Sequence, residues 1–105
     1  ALCCNGVVPE GIEAQAHQSC KNVAAILAAA GTSMEKVVKT TCYLADMADF
    51  AVFNAVYETY FTQKPARACV AVRSLPKGAF RHNAGFGNDS KGVLCEVEAI
   101  AELDA

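Results

Sequence analysis

Within the stretch 64–73, the side chains alternate from Arg67 to Arg73 and predict a β-strand near the middle of this sequence. Pro65 lacks a backbone N–H donor and suits the start of a strand better than its middle. Arg67 and Cys69 share one face of the strand, whereas the other face is apolar and is predicted to cover a core. A guanidinium fixed on a strand is a natural partner for a planar carboxylate, and the alternative is an ordinary surface arginine. The apolar face consists of Ala68, Val70 and Val72.

Length and composition favour a single globular domain over residues 1–105. Hydrophobic residues make up 53% of the chain and charged residues 19%, which is not the balance of a disordered protein. A core this small is helped by self-association. The net charge is −2 without a basic block, so a nucleic-acid partner is not expected. No apolar run is long enough for a membrane span and no secretory signal is visible, so we expect a cytoplasmic protein.

The six cysteines are predicted to be free thiols. No C-x-x-C pair occurs, and His17 and His82 are isolated, so we expect no metal site. Most of the cysteines lie in apolar periodic segments, where a thiol packs as a small hydrophobe. The six are Cys3, Cys4, Cys20, Cys42, Cys69 and Cys95.

Hydrophobic periodicity predicts the order strand, helix, strand, helix, strand, loop, strand. This order favours an α+β fold, with two helices packed on one face of a mixed β-sheet. The uncovered sheet face would then be buried by self-association, with binding sites in clefts between subunits. The predicted strands are residues 2–8, 37–44, 67–73 (the central strand) and 93–103, the helices are residues 11–30 and 47–61, and the loop is residues 79–92.

Each predicted helix has an apolar stripe and recognisable ends. Gly31 can end the first helix in the left-handed conformation, and Gln15 lies off its stripe. The spacing of Thr32 and Glu35 is that of a capping box and predicts a single turn before the next strand. Asp46 can cap the second helix. The stripes are Ala16, Cys20, Val23, Leu27 and Ala30 in the first helix, and Phe50, Phe53, Tyr57, Tyr60 and Phe61 in the second.

Three polar residues stand in otherwise apolar surroundings. Asn54 lies beside the stripe of the second helix, where its amide needs a partner, either the backbone or a ligand. Glu96 and Glu98 share one face of the last strand. They form either a solvated or intersubunit face, or a site in which one carboxylate near an arginine holds a catalytic proton or orients a water.

Six short motifs occur along the chain in a specific order. They are Val-Val-Lys-Thr-Thr at 37–41, Leu-Ala-Asp-Met-Ala-Asp-Phe at 44–50, Asn-Ala-Val-Tyr at 54–57, Pro-Ala-Arg-Ala-Cys at 65–69, Leu-Pro-Lys-Gly at 75–78 and Glu-Val-Glu-Ala-Ile-Ala at 96–101. Together they resemble the YjgF/YER057c family, also called the Rid (reactive intermediate deaminase) family. The resemblance implies a chorismate-mutase-like (bacillus-type) fold and a homotrimer with sites in the subunit clefts.

The resemblance also implies an activity and its residues. RidA-like members hydrolyse 2-aminoacrylate and related enamines or imines to 2-oxoacids and ammonia, without a cofactor, in the cytoplasm or in an organelle. By motif position, Arg67 matches the residue that grips the substrate carboxylate, and Glu96 matches the residue that positions or activates water. Cys69, Asn54 and Gly6 match residues that line the substrate site. The alternatives are a non-catalytic trimer that binds small carboxylates and an endoribonuclease or translation inhibitor.

Two departures from the family pattern affect these expectations. The first family strand, with its site tyrosine, is absent from this sequence, so we expect an exposed sheet edge and a site lacking one wall. Residues 79–92 intervene where the family usually passes directly from Leu-Pro-Lys-Gly to its final strand. We therefore interpret residues 79–92 as an insertion in a surface loop.

Overall fold

The computed structural model describes residues 10–73, 75 and 93–103. The predicted strand at residues 2–8, which contains Gly6, and the loop at residues 79–92 lie outside the described residues. The described elements are helix α1 (Ile12–Ala29), strand β1 (Val37–Leu44), helix α2 (Phe50–Tyr60), strand β2 (Ala66–Ala71) and strand β3 (Cys95–Ala101), with 3-10 turns at Met34–Lys36 and Met47–Asp49.

The described sheet is mixed, with the strand order β2-β1-β3. Strand β1 pairs with β2 in parallel, placing Cys42 opposite Cys69. It pairs with β3 antiparallel, placing Tyr43 opposite Glu96. The expectation of a central strand at residues 67–73 is therefore wrong for the described sheet, because β1 occupies the middle. The α2 crossover returns the chain to one side of β1, and β3 takes the other side.

Both helices pack on the same face of the sheet, as predicted. Ser19 of α1 contacts Cys95 of β3, with 3.6 Å between Oγ and Sγ. Tyr57 of α2 contacts Thr40 of β1, with 2.7 Å between their hydroxyl oxygens. Thr40 and Cys95 lie on one sheet face, since Leu44, four residues after Thr40, stands opposite Cys95. The fold is therefore α+β, with a core between the helices and one sheet face.

Helix α1 buries most of its predicted stripe but also one polar side chain. Gln15 is fully buried, contrary to the prediction, because its Oε1 accepts a hydrogen bond from the backbone N–H of Leu94 at 2.7 Å. An amide is tolerated in a core when it is bonded in this way. Ala30, predicted on the stripe, is exposed because α1 ends one residue before it. The predicted stop at Gly31 is confirmed, with φ at +88°.

The predicted turn before β1 forms without the predicted capping box. Thr32 Oγ1 instead donates to the carbonyl oxygen of Glu102 at 2.6 Å, joining this turn to the end of β3. Ahead of α2, the carboxylate of Asp46 accepts a hydrogen bond from the N–H of Ala48 at 2.8 Å. Asp46 therefore caps the 3-10 turn that leads into the helix.

The sheet face away from the helices is only partly covered. On it, Val70 is 43% exposed and Ile100 is 57% exposed. This corrects the prediction that the Ala68, Val70 and Val72 face of β2 covers the core. The register with β1 determines which face of β2 turns inward. Cys42 is buried beneath the helices, and Cys69, which is paired with it, therefore faces the helices as well. None of the described helices has the length and apolar character needed to cross a membrane.

Candidate functional site

Arg67 lies near the start of β2, with its guanidinium against helix α2. Its Cζ atom is 4.6 Å from the ring centroid of Tyr57 and 5.4 Å from that of Phe50. Its Nη1 donates to Asn54 Oδ1 at 2.5 Å. Phe50, Asn54 and Tyr57 are spaced i, i+4 and i+7, so one face of α2 presents all three. The helix thus holds an exposed guanidinium in a defined plane through stacking and one hydrogen bond.

The side chain of Tyr57 is held in place by contacts with Thr40 and Phe61. Its hydroxyl and that of Thr40 form the 2.7 Å hydrogen bond in the core, and its ring stacks on Phe61 with 4.5 Å between centroids. Burial raises the pKa of the Tyr57 phenol, so the hydroxyl stays neutral at physiological pH. The ring is a rigid support for the Arg67 guanidinium.

An open cleft of about 630 Å³ lies beside Arg67. It runs between α2 and the connection into β2, and its lining includes two cations, one carboxylate and one amide. A planar guanidinium beside such a cleft can bind a carboxylate in bidentate fashion. The charged and amide residues of the lining are Asn54, Glu58, Lys64 and Arg67.

Cys69 lies two residues after Arg67 on the same strand face and is half-buried. Burial raises the pKa of its thiol, while the Arg67 charge and a hydrogen bond with Cys42 act in the opposite direction. A thiol in this state is a poor nucleophile at neutral pH. Cys69 therefore suits a lining role rather than covalent catalysis.

The described cysteines behave as predicted. Cys20, Cys42 and Cys95 are buried and free, and Cys69 is free. Cys3 and Cys4 lie outside the described residues. No group of three or more His, Cys, Asp or Glu side chains within residues 10–73, 75 and 93–103 is placed to hold a metal ion.

Glu96 lies on the opposite sheet face from Arg67. Arg67 is paired with Thr40, which faces the helices, whereas Glu96 is paired with Tyr43, which faces away from them. On that outer face, the hydroxyl of Tyr43 donates to Glu98 Oε1 at 3.4 Å. One protomer therefore brings Arg67 together with Asn54 on a face shared with Cys69, and it leaves Glu96 on the other side of the sheet.

Sequence reasoning missed three contributors to this site. Phe50 and Tyr57 were assigned only to the apolar stripe of the second helix, and Lys64 was given no role. The available signal was the spacing of Phe50 and Tyr57 around Asn54, which places an aromatic platform beside a polar group. Gly6, also predicted at the site, lies outside the described residues.

Comparison with known proteins identifies relatives along nearly the whole chain. A family model described as Endoribonuclease L-PSP matches residues 2–80, a span that contains Asn54 and Arg67 and ends before Glu96. The 2-iminobutanoate/2-iminopropanoate deaminase of Salmonella typhimurium (strain LT2) is 50% identical over 100 residues, covering 91% of this chain and 67% of that protein.

Solved structures give the same picture. The YjgF gene product from E. coli is 43% identical with a TM-score of 0.73, covering 91% of this chain and 68% of that chain. E. coli TdcF, solved with bound serine, is 36% identical with a TM-score of 0.76, covering 94% of this chain and 70% of that chain. This chain therefore spans about two thirds of the length of these relatives.

Proposed function

This chain belongs to the endoribonuclease L-PSP family, also called the YjgF/RidA family, and from that membership we propose that it is an imine deaminase. Its reaction is the hydrolysis of 2-imino acids, formed from enamines such as 2-aminoacrylate, to 2-oxoacids and ammonia. The 50% identity to a 2-iminobutanoate/2-iminopropanoate deaminase supports this activity. The structural observation that carries it is the exposed Arg67 guanidinium, held in one plane beside an open cleft.

In this proposal, Arg67 binds the substrate carboxylate. Asn54 Oδ1 accepts a hydrogen bond from one of its N–H groups, and the other guanidinium donors have no hydrogen-bond partner among the described residues, so we propose that they bind the ligand. The Asn54 amide nitrogen is proposed to donate to the substrate, and Cys69 is proposed to line the site. A ligand with a carboxylate also agrees with the bound serine of the TdcF structure. The backbone N–H of Gly6 is also proposed to donate to the substrate carboxylate.

The chemistry requires water to add to the imine carbon and ammonia to leave. Glu96 is proposed to accept a proton from the attacking water and to return it to the nitrogen. Water addition gives a carbinolamine, and transfer of its hydroxyl proton to the nitrogen allows the C–N bond to break, so that the carbon becomes the carbonyl of the 2-oxoacid and the nitrogen departs as ammonia. By binding the carboxylate, Arg67 holds the imine carbon in position for attack by that water.

We further propose that the site is completed between protomers of a homotrimer with the chorismate-mutase-like fold. Arg67 and Glu96 lie on opposite faces of one sheet, so a shared site requires the neighbouring protomer's Glu96. The exposed Val70 and Ile100 on the outer face support burial of that face by self-association. In this arrangement, residues 1–105 form one domain per protomer, with residues 79–92 as an insertion.

The first test is ammonia release from freshly generated 2-aminoacrylate. The parent chain should accelerate it, and Arg67→Ala should lose at least about tenfold in kcat/KM, the effect of removing a charge-assisted hydrogen bond. Arg73→Ala is the matched control, because Arg73 is exposed and does not line the cleft. Full activity of a folded Arg67→Ala protein would contradict the mechanism. Binding of 2-oxobutanoate without turnover would favour a binding module, and RNA cleavage would favour a ribonuclease.

A further inference from the structure

Lys64 is the second cation of the cleft that contains Arg67. It is exposed, and no ion pair of its ammonium occurs among the residues that the structure describes. Its backbone has φ at +57°, in the left-handed region that side-chain-bearing residues adopt uncommonly. The turn formed in this way precedes Pro65 and places Lys64 on the cleft wall rather than in the strand.

The two cations differ in whether neighbouring side chains fix their position before a ligand binds. The Arg67 guanidinium is stacked on Tyr57 and bonded to Asn54, so its position is set before any ligand binds. The Lys64 ammonium has no such partner among the described residues and is available to a second anionic group. Because three residues of extended chain span at most about 11 Å, the Cα atoms of Lys64 and Arg67 lie within reach of one small ligand.

The cleft is also larger than a short imino acid requires. A 2-imino acid of three or four carbons occupies a small part of a cleft of about 630 Å³. Thr62, Lys64 and Pro65 line the same cleft as Arg67. A longer substrate can therefore extend from Arg67 towards the ammonium.

We propose that the cleft selects 2-imino acids with a second, terminal carboxylate, which Lys64 binds while Arg67 holds the α-carboxylate. The substrates of this class are the four- and five-carbon imino diacids. The inference rests on the proposed deaminase function and specifies its substrate class. An ammonium in the cleft lining stabilises a bound second carboxylate and does not stabilise an alkyl chain.

Glu58 is the competing charge in the cleft. It follows Asn54 by one helical turn and also lines the cleft. Its carboxylate repels a terminal carboxylate and would instead attract the cationic end of a basic imino acid. Lys64 therefore predicts a preference for diacidic substrates and Glu58 a preference for basic ones, so measured selectivity distinguishes the roles of the two residues.

The test compares two stable 2-oxoacids by calorimetry with the full chain. The parent should bind the dicarboxylate 2-oxoglutarate more tightly than the monocarboxylate 2-oxobutanoate. Lys64→Met should reduce the ratio of the two affinities about tenfold, whereas Lys64→Arg should retain it. Glu58→Gln should increase the ratio. Lys21→Met, a substitution at an exposed position on α1, should leave it unchanged.

Turnover of imines generated in place by an amino-acid oxidase, from glutamate and from alanine, should show the same shift in relative kcat/KM. An equal affinity of the parent for both 2-oxoacids would overturn the inference, as would a preference that survives Lys64→Met. A preference for a basic 2-oxoacid that is lost in Glu58→Gln would assign selectivity to Glu58 instead. If no imine is hydrolysed but the Lys64-dependent preference persists, the deaminase proposal fails and the assignment of Lys64 stands.

Discussion

The Arg67 guanidinium lies 4.6 Å from the ring centroid of Tyr57, and the Tyr57 hydroxyl is hydrogen bonded to Thr40 within the core. A charged group at the rim of a surface cleft is thus connected to the middle strand of the sheet through one aromatic side chain. Stability and ligand binding should therefore respond to different parts of Tyr57. Its hydroxyl forms a hydrogen bond within the core, and its ring stacks against the Arg67 guanidinium.

Tyr57→Phe should lower the free energy of unfolding by about 1–2 kcal/mol, because it leaves the buried Thr40 hydroxyl without this partner. The ring remains, so Arg67 keeps its support. Urea denaturation measures the change. Adding Thr40→Val should recover part of the loss, since both polar groups are then absent. Additive losses in the double variant would show that the hydroxyl pair is not coupled.

Asn54 offers a test of how freely Arg67 can bind a carboxylate. Asn54→Asp should raise the KM for a 2-imino acid about tenfold or more, because an ionised side chain at that position pairs with Arg67 and competes with the substrate. Asn54→Ala should raise KM only severalfold, since it removes a positioning contact without adding a competitor. Steady-state kinetics over a range of substrate concentrations would distinguish the two. Equal effects would mean that the added carboxylate does not compete with the substrate for Arg67.

The separation of Arg67 and Glu96 on opposite sheet faces leads to a complementation experiment. Arg67→Ala and Glu96→Gln should each have an activity at least about tenfold below that of the parent when assayed alone. Mixed, dissociated and reassembled in equal amounts, they should regain about a quarter of the parental activity, because random assembly pairs an intact Arg67 with a neighbouring intact Glu96 at that frequency. Mixing without subunit exchange is the control. Absence of recovery in a verified mixed oligomer would rule out a site shared between protomers.

The buried thiols predict how stability depends on alkaline pH. Burial raises the pKa of Cys20 and of Cys42 from 9.0 to about 12, so the folded state holds protons that the unfolded state releases. Their stabilising contribution is complete below pH 9 and is lost as pH rises towards 12. Urea denaturation with reductant present, at intervals from neutral pH upward, should show this decline.

A cysteine variant provides the comparison for that decline. Cys20→Ala should lower stability at neutral pH, because it leaves a small cavity, and should also reduce the alkaline slope. An unchanged slope in Cys20→Ala would mean that other groups cause the decline.

Local sequence patterns predicted some elements to the residue. Strand β1 was expected at residues 37–44 from its β-branched and aromatic content, and it forms over Val37–Leu44. The left-handed turn at Gly31, just after the end of α1, followed from a conformation that glycine adopts readily. These features depend on neighbours in the chain, which the sequence displays directly.

Features that depend on distant contacts were harder to predict. In β2 one face is apolar and the other mixes an arginine with small residues, so alternation alone gave the wrong answer as to which face turns inward. The pairing of Cys69 with buried Cys42 decides it. Gln15 was assigned to the surface because it is polar. Its burial could be predicted only from the contact with Leu94, whose backbone N–H donates to its side chain. Arg67 and Asn54 were identified separately, but their contact arises only when α2 packs beside β2.

The stacking of Arg67 also bears on the thermodynamics of recognition. A free arginine side chain carries about 2 kcal/mol of rotamer entropy, much of which is lost when it grips a ligand. Here folding has already immobilised the guanidinium against Phe50 and Tyr57. A carboxylate that docks on it orders little more of the protein, so even a ligand of a few atoms can be held with useful affinity.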